Sequence, residues 1–191
     1  MDEYIYISIP KTGTNSVHKI LGHSQFNHIK AYTIKRKIGD INYNTRISFC
    51  FIRNPIDLVK SWYYYHKYSP NVIRREVKQF YPDTIEEWVF DMNCKTHWED
   101  KDHKIQNPYW DLSNPLYQTS WIKDPSGSII VDKVFQFDHI ESHIHEMFGQ
   151  NVTVENKSNK DDYILITETE NRIAEIFSEE IAFYNSLQKK T

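Results

Sequence analysis

Lys11 follows the apolar run YIYISI and Pro10 in the segment IPKTGTNS. A glycine and small hydroxyl residues after a buried strand let the backbone wrap a phosphate, with a helix N-terminus facing the anion. Near residue 50 a second segment, RISFCFIRNPIDLVKSWYYYH, carries an apolar strand, Arg53, an Asn-Pro turn and a helix with Ser61. Arg53 would grip a second phosphate through its fork of donors, and Ser61 would add a hydroxyl. Two such grips on neighbouring strands point to a doubly phosphorylated nucleotide.

Other chemistry-bearing residues give weaker patterns. His97, Glu99, Asp100, Asp102 and His103 have metal-capable side chains, but their spacing fits no zinc motif and a solvated loop is expected. His139 and His143 are spaced to share one helical face without a third ligand, so no metal is expected. Trp62 and Tyr63, Tyr64 and Tyr65 could form a sugar-stacking platform, yet on a helix at least two must face the core, and Trp62 and Tyr65 are the ones expected there. His18 is expected to pack or to face solvent. The basic clusters KRK at 35–37 and IRRE at 73–76 are isolated, and they read as solvated helical surfaces rather than a nucleic-acid footprint.

The elements that must position Lys11 and Arg53 are legible around them. Residues 3–9 predict a buried strand, Thr14 to about Gly22 a helix, and 28–38 a short helix ending at Gly39. Residues 46–52 have the apolar density of a central parallel strand, and Pro55 and Asp57 open a helix to about His66. Thr84, with Glu87 three residues on, predicts a capped helix to Met92. Residues 68–112 form an irregular excursion, either a substrate wall or a plain loop. Two extended runs joined by a turn at Asp124 to Gly127 follow, then helices over 138–148 and about 168–187, the last with Ile173, Ile176, Phe177, Ile181 and Tyr184 on one apolar face. The order strand, helix, strand, helix predicts a single α/β domain over the 191 residues, with a mainly parallel sheet.

A net charge of −3 excludes an overall basic nucleic-acid binder and leaves room for a local basic cleft. The two cysteines, Cys50 and Cys94, are expected as free thiols. The start MDEYIYISIP lacks a positive n-region and a long apolar block, and no run approaches the roughly 20 apolar residues of a membrane span; a cytoplasmic protein is expected.

The first motif does not have the order GxxxxGK[ST] of nucleotide kinases, because Lys11 comes early, after Pro10. It resembles instead the PKTGGTS-like motif of sulfotransferases that use 3′-phosphoadenosine 5′-phosphosulfate (PAPS), in the small carbohydrate-type, heparan/chondroitin sulfotransferase-like branch. FCFIRNPIDLVKSWYYY resembles that family's 3′-phosphate segment, FxFVRNPxDRxxSxYxY, with Leu58 at a commonly basic position. NPLYQTSWIKDPSGSIIVDKVFQFDHI resembles the family's run into a VDxxxxFE-like strand, with Asp138 where Glu is usual, and NKS at 156–158 resembles a loop before its last helix. The resemblance covers most of the chain and is weaker over 68–108. It implies a three-layer P-loop-type fold and transfer of a sulfuryl group to a hydroxyl of a saccharide or other small acceptor. It further implies that Lys11 contacts the phosphosulfate bridge, that the amides of Thr12, Gly13, Thr14, Asn15 and Ser16 bind the same phosphate, with Thr14, Asn15 or Ser16 adding side-chain donors, and that Arg53 and Ser61 hold the 3′-phosphate. The family's HxTA-like stretch matches His28 to Ala31, with Lys30 in place of the small hydroxyl residue; it implies His28 as the general base, with His23 as its rival. The competing readings are a P-loop small-molecule kinase, which would need a later lysine and a Mg²⁺ carboxylate, and a non-catalytic nucleotide-binding protein of the same fold.

Overall fold

In a computed structural model the chain is described over residues 3–22, 26–68, 82–91, 116–152 and 164–187. Among these residues three strands, β1 (Tyr4–Tyr6), β2 (Ile47–Ile52) and β3 (Lys133–Gln136), form a parallel sheet in the order β1-β2-β3. The register sets Tyr6 opposite Phe49 and Ile52 opposite Gln136, and the Ile7 amide extends the first pairing with a 2.8 Å bond to the Phe49 carbonyl. The central place of β2 follows from its sequence: Phe49, Cys50, Phe51 and Ile52 are all buried, which demands cover on both faces.

That cover alternates with the strand period of two. Ile5, Ile7, Ile9, Cys50 and Ile52 pack with Ala31 and Ile34 of α2 (Ala31–Ile38), Tyr43 of α3 (Asp40–Asn44), and Tyr184. Tyr6, Phe49 and Phe51 pack instead with Val17 and Leu21 of α1 (Thr14–Leu21) and with Ile140 and Ile144 of α6 (Ile140–Phe148). Helices therefore flank the sheet. A third cluster lies among helices: Leu58, Val59, Trp62 and Tyr63 of α4 (Pro55–Tyr68) meet Ile85, Trp88 and Val89 of α5 (Ile85–Asp91) and Ile173 of α7 (Thr167–Ile176). Trp62 is core, as its helical position predicts.

Local capping explains where several helices begin. The Asn54 side chain accepts from the Ile56 amide at 2.9 Å and starts α4, with Pro55 in the first helical position, where its missing N–H costs nothing. Thr84 and Glu87 exchange side-chain-to-amide bonds of 3.2 Å, the reciprocal capping box that starts α5. The turn predicted at Asp124 to Gly127 is closed by Asp124 Oδ1, which accepts from the amides of Ser126 and Ser128.

The first extended run is corrected at its start, where Ser120 and Trp121 lie in a 3₁₀ turn, and the C-terminal helix is corrected as well. The C-terminal segment is two helices, α7 and α8 (Ser178–Leu187), rather than one. The chain leaves helical geometry at buried Phe177 (φ −108°, ψ 30°), so that Ile173 and Phe177 fill the helical cluster while Tyr184 reaches the sheet. The short α3, between Gly39 and β2, had no counterpart in the sequence reading. Among the described residues no helix is long and apolar enough to cross a membrane. Cys50 is buried in β2 as a free thiol, its pKa pushed up by burial, whereas Cys94, residues 69–81 and 92–112 of the excursion and the NKS loop lie outside the described residues.

Candidate functional site

Because the strands are parallel, the turns leaving their carboxyl ends share one edge of the sheet, the edge where open α/β sheets bind ligands. Lys11–Gly13 follows β1, Arg53–Asn54 follows β2, and a 3₁₀ turn at Phe137–His139 follows β3.

The first turn is shaped by its own hydroxyls. Thr12 and Thr14 both donate to the Ile9 carbonyl, at 2.8 and 3.1 Å, and the Ser8 hydroxyl lies 3.3 Å from Thr14 Oγ1. These two threonines hold the loop from inside, and Ser16 is buried as well, whereas Asn15 is exposed. Gly13 has a left-handed backbone (φ 78°) and is the N-cap residue of α1. It supplies no side chain to the first-turn amides, leaving that part of the helix end without a cap from within its own N-cap residue. A β-carbon at Gly13 would come within 2.8 Å of the Phe137 ring and 2.9 Å of Ile140 Cδ1. Glycine is thus required here by both conformation and space.

Arg53 and Lys11 meet. The Arg53 guanidinium donates through Nη1 to the Lys11 carbonyl at 3.3 Å, and its Cζ lies over the Phe137 ring, 5.1 Å from the centroid. The Arg53 backbone is clamped by the buried Gln118, whose side chain accepts from the Arg53 amide at 2.8 Å and donates to the Arg53 carbonyl at 2.7 Å. Gln118 opens a 3₁₀ turn (Gln118–Trp121) tied to α8 by Glu180, which accepts from the amide and hydroxyl of Thr119. Burial pushes the Glu180 carboxyl above its ordinary range, against the opposing effect of those bonds. The Lys11 ammonium sits over the Tyr65 ring at 3.8 Å, within cation–π range. Ser61 is buried one helical turn before Tyr65 on the same side of α4.

His28 approaches the same strand end. Its Nδ1 lies 3.0 Å from the Ser8 carbonyl, and a carbonyl only accepts. The ring proton therefore sits on Nδ1 and leaves the Nε2 lone pair as the acceptor. Burial lowers the His28 pKa, outweighing the Ser8 bond, so the neutral, proton-accepting form is favoured. Lys11 (φ 69°) and His28 (φ 55°) are the two non-glycine residues with a left-handed backbone among the described residues. Such conformations cost on the order of 1–3 kcal/mol each and cluster at functional sites.

The structure thus brings Lys11, Thr12, Gly13, Thr14 and Arg53 together and links His28 to the loop through Ser8; His23 lies outside the described residues. Sequence reading gives Gln118 only as part of a Gln-containing run in the family resemblance, without a role, and misses Phe137 and the role of Tyr65, which is only partly buried against the helical cluster rather than in it. Tyr65 could have been found from its four-residue spacing to Ser61; Gln118, 65 residues from Arg53, gave no local signal. Among the described residues no group of three His, Cys, Asp or Glu is placed to hold a metal ion; His143 instead stacks on Phe135 at 4.2 Å. Comparison with known proteins finds no match: no family model, no curated protein and no solved structure.

Proposed function

We propose that this chain is a PAPS-dependent sulfotransferase of the small carbohydrate type, built on a three-layer P-loop-type fold. It would transfer a sulfuryl group to a hydroxyl of a saccharide or other small acceptor. The observation that supports the reading is the 3.3 Å contact between Arg53 and the Lys11 carbonyl, which sets the two turns proposed to bind phosphate side by side. One cation on each turn suits a ligand with phosphate at both ends of a nucleoside, and the residues present fit that group. The donor, when bound, would supply an activated sulfuryl group with the nucleotide 5′-phosphate as its leaving group.

The chain's own residues divide the remaining work. Lys11, whose ammonium rests over the Tyr65 ring, offsets charge on the leaving phosphate, with the amides of residues 12–16 beside it. Arg53 and Ser61 hold the 3′-phosphate. His28 receives the acceptor proton at Nε2, the ring nitrogen that carries no proton when Nδ1 donates to the Ser8 carbonyl. Calorimetric titration with adenosine 3′,5′-bisphosphate, ADP and Mg²⁺-ATP tests the assignment. Selective binding of the bisphosphate is expected; preference for Mg²⁺-ATP would transfer the site to a kinase, and no nucleotide binding would overturn the proposal.

A further inference from the structure

Phe137 stands between the two grips. The face of its ring carries the Arg53 guanidinium at 5.1 Å, and the edge of the same ring packs where a Gly13 side chain would begin, 2.8 Å from that ideal position. The residue is the first after β3 and the first of the 3₁₀ turn. Both neighbours in the chain are pinned to one residue of α8. Gln136 Nε2 donates to the Tyr184 carbonyl at 3.0 Å, and the Tyr184 phenol donates to Asp138. Tyr184 is itself buried in the sheet cluster, so the ring is anchored through the core rather than through the mobile end of a side chain. A ring fixed in this way packs beside the glycine of one turn and carries the cation of the other on its face.

We infer that Phe137 is the positioning residue that holds Arg53 at the spacing required by a nucleotide phosphorylated at both the 3′ and 5′ positions. The inference rests on the donor site proposed above and assigns its 3′-phosphate selectivity to a ring that donates no hydrogen bond. A cation over an aromatic face is held by the ring quadrupole, and the attraction weakens as fluorine withdraws electron density while the ring keeps nearly its shape. Purely structural packing would not follow that series.

The test places mono-, di- and trifluorophenylalanine at position 137 and measures affinity for adenosine 3′,5′-bisphosphate and for AMP by calorimetry. Bisphosphate affinity is expected to fall stepwise, by about three- to tenfold in total, with AMP affinity unchanged. A flat series in a protein that still prefers the bisphosphate, and that loses this preference in Arg53→Ala, would overturn the inference and leave the donor site standing. A wild-type protein that binds the bisphosphate no better than AMP would overturn both. A ligand-independent readout separates the contact from its use. In isotope-edited NMR the Arg53 guanidinium protons should be shifted upfield by the ring and should return downfield in Phe137→Leu; protons at ordinary positions in the wild type would refute the contact itself.

Discussion

Replacing Gly13 by alanine imposes two separable costs. The backbone there is left-handed (φ 78°), a conformation that costs an L side chain about 1–2 kcal/mol. The added methyl would also stand 2.8 Å from the Phe137 ring and 2.9 Å from Ile140 Cδ1. The isoleucine methyl ends a flexible chain and can yield. The ring is bulkier and is rooted in the 3₁₀ turn whose flanking residues Tyr184 holds, and overpacking of this kind costs about 1–3 kcal/mol. Gly127 provides the internal control. It is also left-handed (φ 86°), but a β-carbon there would meet nothing within 4 Å among the described residues. Both substitutions stiffen the unfolded chain alike, so that effect cancels in the comparison. Urea unfolding should therefore show Gly13→Ala destabilised by about 1–3 kcal/mol more than Gly127→Ala. Because the displaced ring carries Arg53, bisphosphate affinity should fall in Gly13→Ala and stay constant in Gly127→Ala. Equal destabilisation of the two variants would refute the steric part of this reasoning.

The other predictions concern the proposed chemistry and the sheet. Lys11→Ala should lower kcat for sulfuryl transfer by about 10²–10³-fold, as expected for loss of one charge-stabilising donor, and Lys11→Arg should recover part of it; a rate within threefold of wild type in Lys11→Ala would remove Lys11 from the mechanism. His28→Gln should cost about 10²–10⁴-fold in kcat and abolish the acidic limb of the pH–rate profile. The sign is fixed by burial: the folded pKa of His28 is depressed, so the base stays neutral through the ordinary histidine range and activity falls only below it. The same depression makes folding stability drop as pH falls below about 6.5, where the unfolded histidine takes up a proton first, and His28→Gln should flatten that drop in pH-dependent urea titrations. Asp132 accepts from both the amide and the hydroxyl of Ser48, at 2.8 and 2.7 Å, and joins the start of β3 to β2. Asp132→Ala should cost about 1.5–3 kcal/mol by chemical denaturation, with nucleotide affinity unchanged.

What could be read from the chain in advance lies within a few residues of its cause. The apolar run over Ile47–Ile52, Gly13 before a helix, the Asn54-Pro55 start, the Thr84/Glu87 box and the Asp124 turn are all local devices, and each produced the expected element. The members that organise the site are joined across the fold. Gln118 reaches Arg53 over 65 residues, Glu180 reaches Thr119 over 61, and Phe137 touches both turns only because the sheet is parallel. A side chain that substitutes for a strand neighbour, as Gln118 does, leaves no periodicity to detect. The break at Phe177 escaped for a related reason: the apolar spacing continues through it, and the need to serve two separate clusters is a tertiary demand.

The central claim is that Lys11 and Arg53 serve one ligand bearing two separated phosphates. It is tested most directly by the affinity ratio of adenosine 3′,5′-bisphosphate to AMP in the wild type and in Arg53→Ala. The substitution keeps the backbone bonds to Gln118, so the turn stays in place while the guanidinium is lost. The account predicts a wild-type preference of about 10–150-fold for the bisphosphate, the range of one charge-assisted contact of roughly 1.5–3 kcal/mol, collapsing toward unity in Arg53→Ala with AMP affinity little changed. A preference that survives the substitution, or none in the wild type, would contradict it.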